Sequence, residues 1–209
     1  MLQRDKLMSN QVANINQQAL VTHLPDLDAQ KSFIMQLIAD QPQRMEALYR
    51  ARELCLMDWC IAAGFVRNLV WDFLHHKTTL TPLNDIDLIY CNALNLNPEK
   101  DVVLEDCLIE TTGKPWSVKN QAYMHLRNND NAYVSTADAL TYWVEVETMI
   151  GVTLEDDDSL RLIAPLGVQS LLAGEVNINP TRPKRDEYYR RMTEKNWLDI
   201  WPNLDIKGL

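Results

Sequence analysis

With 209 residues, 46% of them hydrophobic, the chain has material for one sizeable core, and no apolar run approaches the ~20 residues of a membrane-spanning helix. Its 29 acids outnumber 20 bases, a net charge of −9 that argues against non-specific nucleic-acid binding, which depends on neutralising phosphates. The N-terminus has no apolar signal segment, so a cytoplasmic protein without a membrane partner is expected.

Residues 1–26, rich in Asn and Gln, read as a flexible or weakly held arm, and residues 27–209 as a single domain. Asp28 is placed to cap a helix over 29–39. Pro42 opens a second helix reaching about Met57, whose Arg44, Arg50 and Arg52 are expected in solvent. A short apolar run, Trp59 to Ala63, then meets Gly64, and FVRNLVWDFLHH follows at helical spacing. Val66, Leu69, Val70, Phe73 and Leu74 form its apolar face, with Asn68, Asp72, His75 and His76 opposite. After a polar turn the chain enters a strand, Asp85 to Tyr90.

Asn97 and Pro98 start an acidic amphipathic helix to Glu110, and Gly113 to Pro115 break it. WSVKNQAYMH, 116–125, reads as one strand. Ser135 or Thr136 caps a short helix, ADALTYW. Residues 150–154 and 160–163 form a hairpin around the acidic run 155–158, a solvated turn without the spacing of a calcium loop. Pro165 opens a helix ending near Gly174. The basic segment RPKRDEYYRRMTEKNW is either a solvated helix or a set of cations turned toward a phosphate or an acceptor. The tail tryptophans read as packing. Cys55, Cys60 and Cys91 lie in apolar runs and Cys107 on the acidic helix; with no C-x-x-C pairing, reduced thiols are expected, the first three buried.

Three features carry chemistry. On a strand, Asp85 and Asp87 project from one face, and two carboxylates side by side repel unless a hard divalent cation joins them. The alternative is a turn in which Asp87 merely faces water. Gly64 lets backbone approach phosphate, while Arg67 and Asn68 fall in the first helical turn, where free N–H groups favour an anion. His125 has the pKa of a general base, though a lone histidine at a strand end is also an ordinary structural group.

Gly64-Phe65-Val66-Arg67-Asn68, Val70-Trp71-Asp72 and Leu83-Asn84-Asp85-Ile86-Asp87 together resemble a bacterial branch of the polymerase-β-like nucleotidyltransferase superfamily. The likeness continues through Asn120-Gln121-Ala122, Met124-His125, Ala164-Pro165-Leu166-Gly167 and the tail Lys195, Trp197, Trp201-Pro202 and Leu204. It implies an α/β (α+β) fold: a short mixed sheet flanked by helices, core about 44–126, with a C-terminal hairpin and helices as an annex, about 135–209. It implies metal-dependent transfer of a nucleoside monophosphate from an NTP to an acceptor: a small molecule, a protein or RNA. Asp85 and Asp87 would hold Mg²⁺ or Mn²⁺, and Gly64, Arg67, Asn68 and Asn120 would cradle the nucleotide.

Two departures qualify the resemblance. Phe65 stands where the superfamily commonly has Ser, and the strand expected to supply a third carboxylate has none. Asn120 or Gln121 could ligate but not take a proton; His125 is a candidate base, and Glu145 or Glu147 could substitute only if the chain folds back. A catalytically inactive nucleotide-binding or regulatory module, or a protein-interaction scaffold, are the alternatives.

Overall fold

The computed structural model describes residue 21 and residues 24–208, and the sheet explains most of its layout. β1 (Trp59–Ala62) is buried along its whole length, as a run of apolar residues with no polar alternation requires. It lies between β2 (Ile86–Tyr90) and β4 (Gly151–Leu154), antiparallel to both. β3 (Trp116–Asn120) runs parallel to β2, and β5 (Leu160–Ile163) closes the hairpin with β4. The order is β3-β2-β1-β4-β5, a mixed sheet of five strands. At Gly151 an added Cβ would sit 2.6 Å from Cys60 Sγ, so only glycine admits the close approach of β4 to β1.

Helices cover the sheet: α1 (Leu27–Ala39), α2 (Pro42–Arg52), α3 (Gly64–Leu74) and α4 (Pro98–Thr112). Asp26, not Asp28, caps α1, its side chain accepting from Ala29 N at 2.8 Å. α2 stops at Arg52 because Cys55 takes a positive φ of 50°. α3 is buried nearly all round, Asn68 and Asp72 included, so the polar face expected there is interior. Asp72 earns its place by partners: it accepts from Thr81 N and Oγ1 and from Trp201 Nε1. Arg44 is likewise interior, donating to the Phe65 carbonyl with its guanidinium over the Phe65 ring, not solvated as expected. At the end of α3, His75 Nδ1 meets the Trp71 carbonyl at 2.8 Å.

α4 lies along the outer edge of β3. Glu105 accepts from Val118 N at 2.8 Å, and Asp101 accepts from Asn120 N at 2.8 Å. The strand expected over 116–125 ends at Asn120, whose side chain accepts from Ala122 N and starts α5 (Gln121–Asn128). A capping residue overrode the alternation. α6 (Thr136–Leu140) is capped by Ser135. The helix expected from Pro165 is only α7 (Gln169–Leu172), because Gly167 at φ 81° breaks the first turn. β6 (Glu175–Val176) and β7 (Asp205–Ile206) pair in parallel, and α8 (Arg185–Glu194) and α9 (Trp197–Ile200) lie between them in sequence.

One hydrophobic cluster runs from Val21 through the sheet to Trp197, Trp201 and Leu204. Of the expected arm, Val21 is therefore in the core and Asp26 caps α1, while residues 1–20, 22 and 23 lie outside the described residues. The cysteines are free thiols, but only Cys60 is fully buried; Cys55 is exposed and Cys91 half-buried. Among the described residues, no helix is long and apolar enough to cross a membrane.

Candidate active site

The site begins where β1 turns into α3. Ala63 makes that turn with φ 51° and ψ −117°, a conformation that costs an alanine on the order of 1–3 kcal/mol. It is held from both sides: its N–H donates to Ile150 O at 2.8 Å, and its carbonyl accepts from Arg67 N at 2.9 Å. Gly64 follows at the first helical position. A Cβ there would meet Asn68 at 3.4 Å and Arg67 Nη2 at 3.6 Å, ordinary contacts, so the chain's own packing does not demand glycine. Gly64 itself lines the cleft.

The next strand in sequence supplies the acids, Asp85 just before β2 and Asp87 within it. Ile86 and Leu88 enter the core while Asp87 is half-buried and Asp85 exposed, the period-two division of a strand. Both carboxylates line the same cleft as Gly64 and Arg67, a cavity of about 350 Å³. Burial, then the neighbouring Asp85 charge, push Asp87 up to about 6, against the pull of Arg67, Lys195 and Arg191.

Arg67 forms the floor. Its Nε and Nη2 donate to Asn68 Oδ1 at 3.2 and 3.0 Å, and its guanidinium lies 4.9 Å from the Trp71 ring and 4.5 Å from the Trp197 ring. Burial lowers it to about 10 while Glu145 draws it back up, so it is charged at neutral pH. Asn68 lies under the cleft and orients Arg67 without lining it.

The opposite wall comes from residues 142–148, α8 and the segment before it. Glu145 is wholly buried and takes Arg191 bidentately, Nε to Oε1 at 2.5 Å and Nη2 to Oε2 at 3.0 Å. Burial pulls Arg191 down, but the bond and charge of Glu145 more than offset it and leave the guanidinium raised. Arg182 pairs with Asp130, and Lys184 with Glu187 at 3.6 Å. Lys195 also lines the cleft, and no described acid pairs with it. So four cations of the basic segment line the cleft, while Arg185 and Arg190 stay exposed.

Of the residues singled out in sequence, Gly64, Arg67, Asp85 and Asp87 share the cleft. Asn120 and His125 do not line it. The Asn120 carboxamide is already engaged, accepting from Asn92 N and Ala122 N and donating to Asn92 O and Asn95 O. His125 sits on α5 with Nδ1 buried and its ring edge-on to Tyr133. The residues that sequence reasoning did not gather are Tyr142, Trp143, Val144, Thr148 and Asn128. Nothing local marks them; the β1–β4 pairing delivers most of them. Among the described residues no three His, Cys, Asp or Glu side chains come together to hold a metal, and both Glu145 oxygens face Arg191.

A family model described as Nucleotidyltransferase matches residues 49–206. Among solved structures, one described as revealing a CCA-adding enzyme head domain by NMR is 31% identical, with a TM-score of 0.75, covering 86% of this chain and 96% of that one. A CCA-adding enzyme in complex with CTP shares the fold at 13% identity and TM-score 0.55, over 84% of this chain. An apo form of a CCA-adding enzyme gives 14% and 0.54. The chain spans 43% and 42% of those two enzymes' lengths. No curated protein matches it.

Proposed function

Since the chain belongs to the nucleotidyltransferase family, we propose that its cleft transfers a nucleoside monophosphate from an NTP to an acceptor hydroxyl, with a divalent cation held at Asp85 and Asp87. The observation that carries this reading is convergence. The acid pair and the Gly64–Arg67 corner come from separate elements and line one cavity.

The donors suit a hard cation. Asp85 and Asp87 offer oxygen ligands; burial and then the Asp85 charge already raise Asp87, and a shared Mg²⁺ or Mn²⁺ would relieve that conflict. When bound, such an ion supplies Lewis-acid polarisation of a phosphoryl oxygen and aligns the entering hydroxyl. The chain's own groups do the rest. Gly64 leaves the backbone open to phosphate, and the first-turn N–H groups of α3 face an anion favourably. Arg67 and Lys195 bear charge toward the cleft with no described carboxylate bound to them, so they are the cations available to a triphosphate. Arg182 and Arg191 each already hold a buried acid and serve chiefly to shape the wall.

The test is incubation with α-labelled NTP and Mg²⁺ or Mn²⁺ in cell extract, followed by label transfer and pyrophosphate release. The Asp85→Asn/Asp87→Asn double variant should lose about a thousandfold in rate. Transfer at an unchanged rate in that variant refutes the site.

One observation favours a second reading, nucleotide binding without turnover: the two further acids that line the cleft are engaged, Glu145 by Arg191 and Thr148 and Glu187 by Lys184. Under it, NTP with metal raises the melting temperature in proportion to ligand over Kd, yet no pyrophosphate appears.

A further inference from the structure

The cleft is chemically divided. Gly64, Arg67, Asp85 and Asp87 make one part of it charged. Elsewhere in its lining, Arg182 donates to the Tyr142 carbonyl at 3.1 Å and the Asn128 carbonyl at 3.2 Å, and Trp143 follows Tyr142 in the chain. The Arg182 charge is met by Asp130, itself nearly buried. That part therefore has no free cation for phosphate, and suits a flat, neutral group.

Trp143 provides the flat surface. Its indole packs against the second hydrophobic cluster, made of Cys60, Ala62, Ile89, Leu140, Met149 and Ile163, and it lines the cleft with no described ring or cation stacked on it. Tyr142 differs, being already braced by Tyr133 at 4.8 Å and by the Arg182 guanidinium at 5.8 Å. Asn128 stands beside them at the rim, its Nδ2 tied to the Tyr133 hydroxyl at 3.2 Å and its Oδ1 without a described protein partner. An exposed amide oxygen and a half-buried indole that line the same cleft, with no described ring stacked on the indole, are the groups that hold a nucleobase, by stacking and one edge hydrogen bond.

We propose that Trp143 and Asn128 form the nucleobase subsite of the cleft: Trp143 stacks the base of the bound NTP, and Asn128 Oδ1 accepts from a base N–H. Arg182 is a positioning residue that pins the Asn128 and Tyr142 backbones. This assignment rests on the nucleotide reading above. Stacking is tolerant of the base and the single hydrogen bond is not, so Trp143 sets the strength of binding and Asn128 the ranking among bases.

The experiment is calorimetric titration of the full chain, with Mg²⁺ present, using ATP, GTP, CTP, UTP and inorganic tripolyphosphate, which has no base. The wild-type protein should bind its best NTP about tenfold or more tighter than tripolyphosphate. Trp143→Leu, which keeps apolar packing but removes the π face, should erase most of that advantage while tripolyphosphate affinity stays within about twofold; Trp143→Phe should retain it. Asn128→Ala should flatten the differences among the four NTPs. The subsite is overturned if wild type binds NTPs no tighter than tripolyphosphate, or if Trp143→Leu weakens both alike or neither. Wild type that binds tripolyphosphate but no NTP, or nothing at all, overturns the nucleotide reading itself.

Discussion

The two walls of the cleft carry charge in opposite ways. On the sheet side Asp85 and Asp87, with one residue between them, both line the cleft, and among the described residues neither has an ion-pair partner. On the α8 side Arg182 and Arg191 are each matched to a buried carboxylate, Asp130 and Glu145. The first wall leaves repulsion unresolved, and the second resolves its charges within the chain. Unresolved charge in a folded protein marks a candidate ligand site, so under the proposed function the difference separates a surface that binds from one that supports.

The contrast is broken most severely from the supporting side. Arg191→Ala leaves Glu145 charged and buried without its partner, which should cost about 3 kcal/mol in urea unfolding. Adding Glu145→Gln should recover much of that loss. A double variant no more stable than the single one would mean that Arg191 does not serve to neutralise Glu145.

The acid wall should behave in the reverse sense. Because Asp87 is raised to about 6 in the fold and titrates near 3.8 when unfolded, the native state holds the extra proton between those values. Stability without metal should therefore fall as pH rises through that window and level off above it. Asp87→Asn should be more stable than wild type by about 1–2 kcal/mol at pH 7, with the gain vanishing near pH 4. Thermal melts in chelator across this range check it, and Mg²⁺ should raise the wild-type melting temperature at pH 7 but not that of the variant.

The smallest effect is expected at Lys195, an exposed residue of the cleft lining with no ion-pair partner among the described residues. Lys195→Ala should raise KM for NTP by about two- to fivefold, leave kcat nearly unchanged, and matter less as salt increases.

The same division governs what the sequence revealed. The β1–α3–β2 unit was legible because its signals are local: a buried apolar run, a glycine, a 3.6-residue period and a D-x-D at a strand head. The mixed sheet was implied by the family resemblance that this unit helps to carry. Glu145 was not placed, because its position depends on β4 pairing with β1 some ninety residues after that strand. Nor was the inward turn of Arg191 and Lys195, since composition gives a helix its charge but not its facing. Asn120 was misread for a different reason. Alternation across 116–125 suits a strand, yet a side chain able to accept from N–H two residues on ends the ladder and begins a helix. Arg44 was assigned to water, as charged residues usually are; a carbonyl and a ring in the interior held it instead.

The carboxylates of α4 have a consequence for assembly. Val118 and Asn120 would otherwise offer their amides sideways, as border strands do, and another chain could latch on there. Glu105 and Asp101 answer those donors from within the molecule, with Lys119 clipped to Glu105 at 2.9 Å. On that flank the sheet is finished, and a newcomer would have to evict two acids before adding a sixth strand.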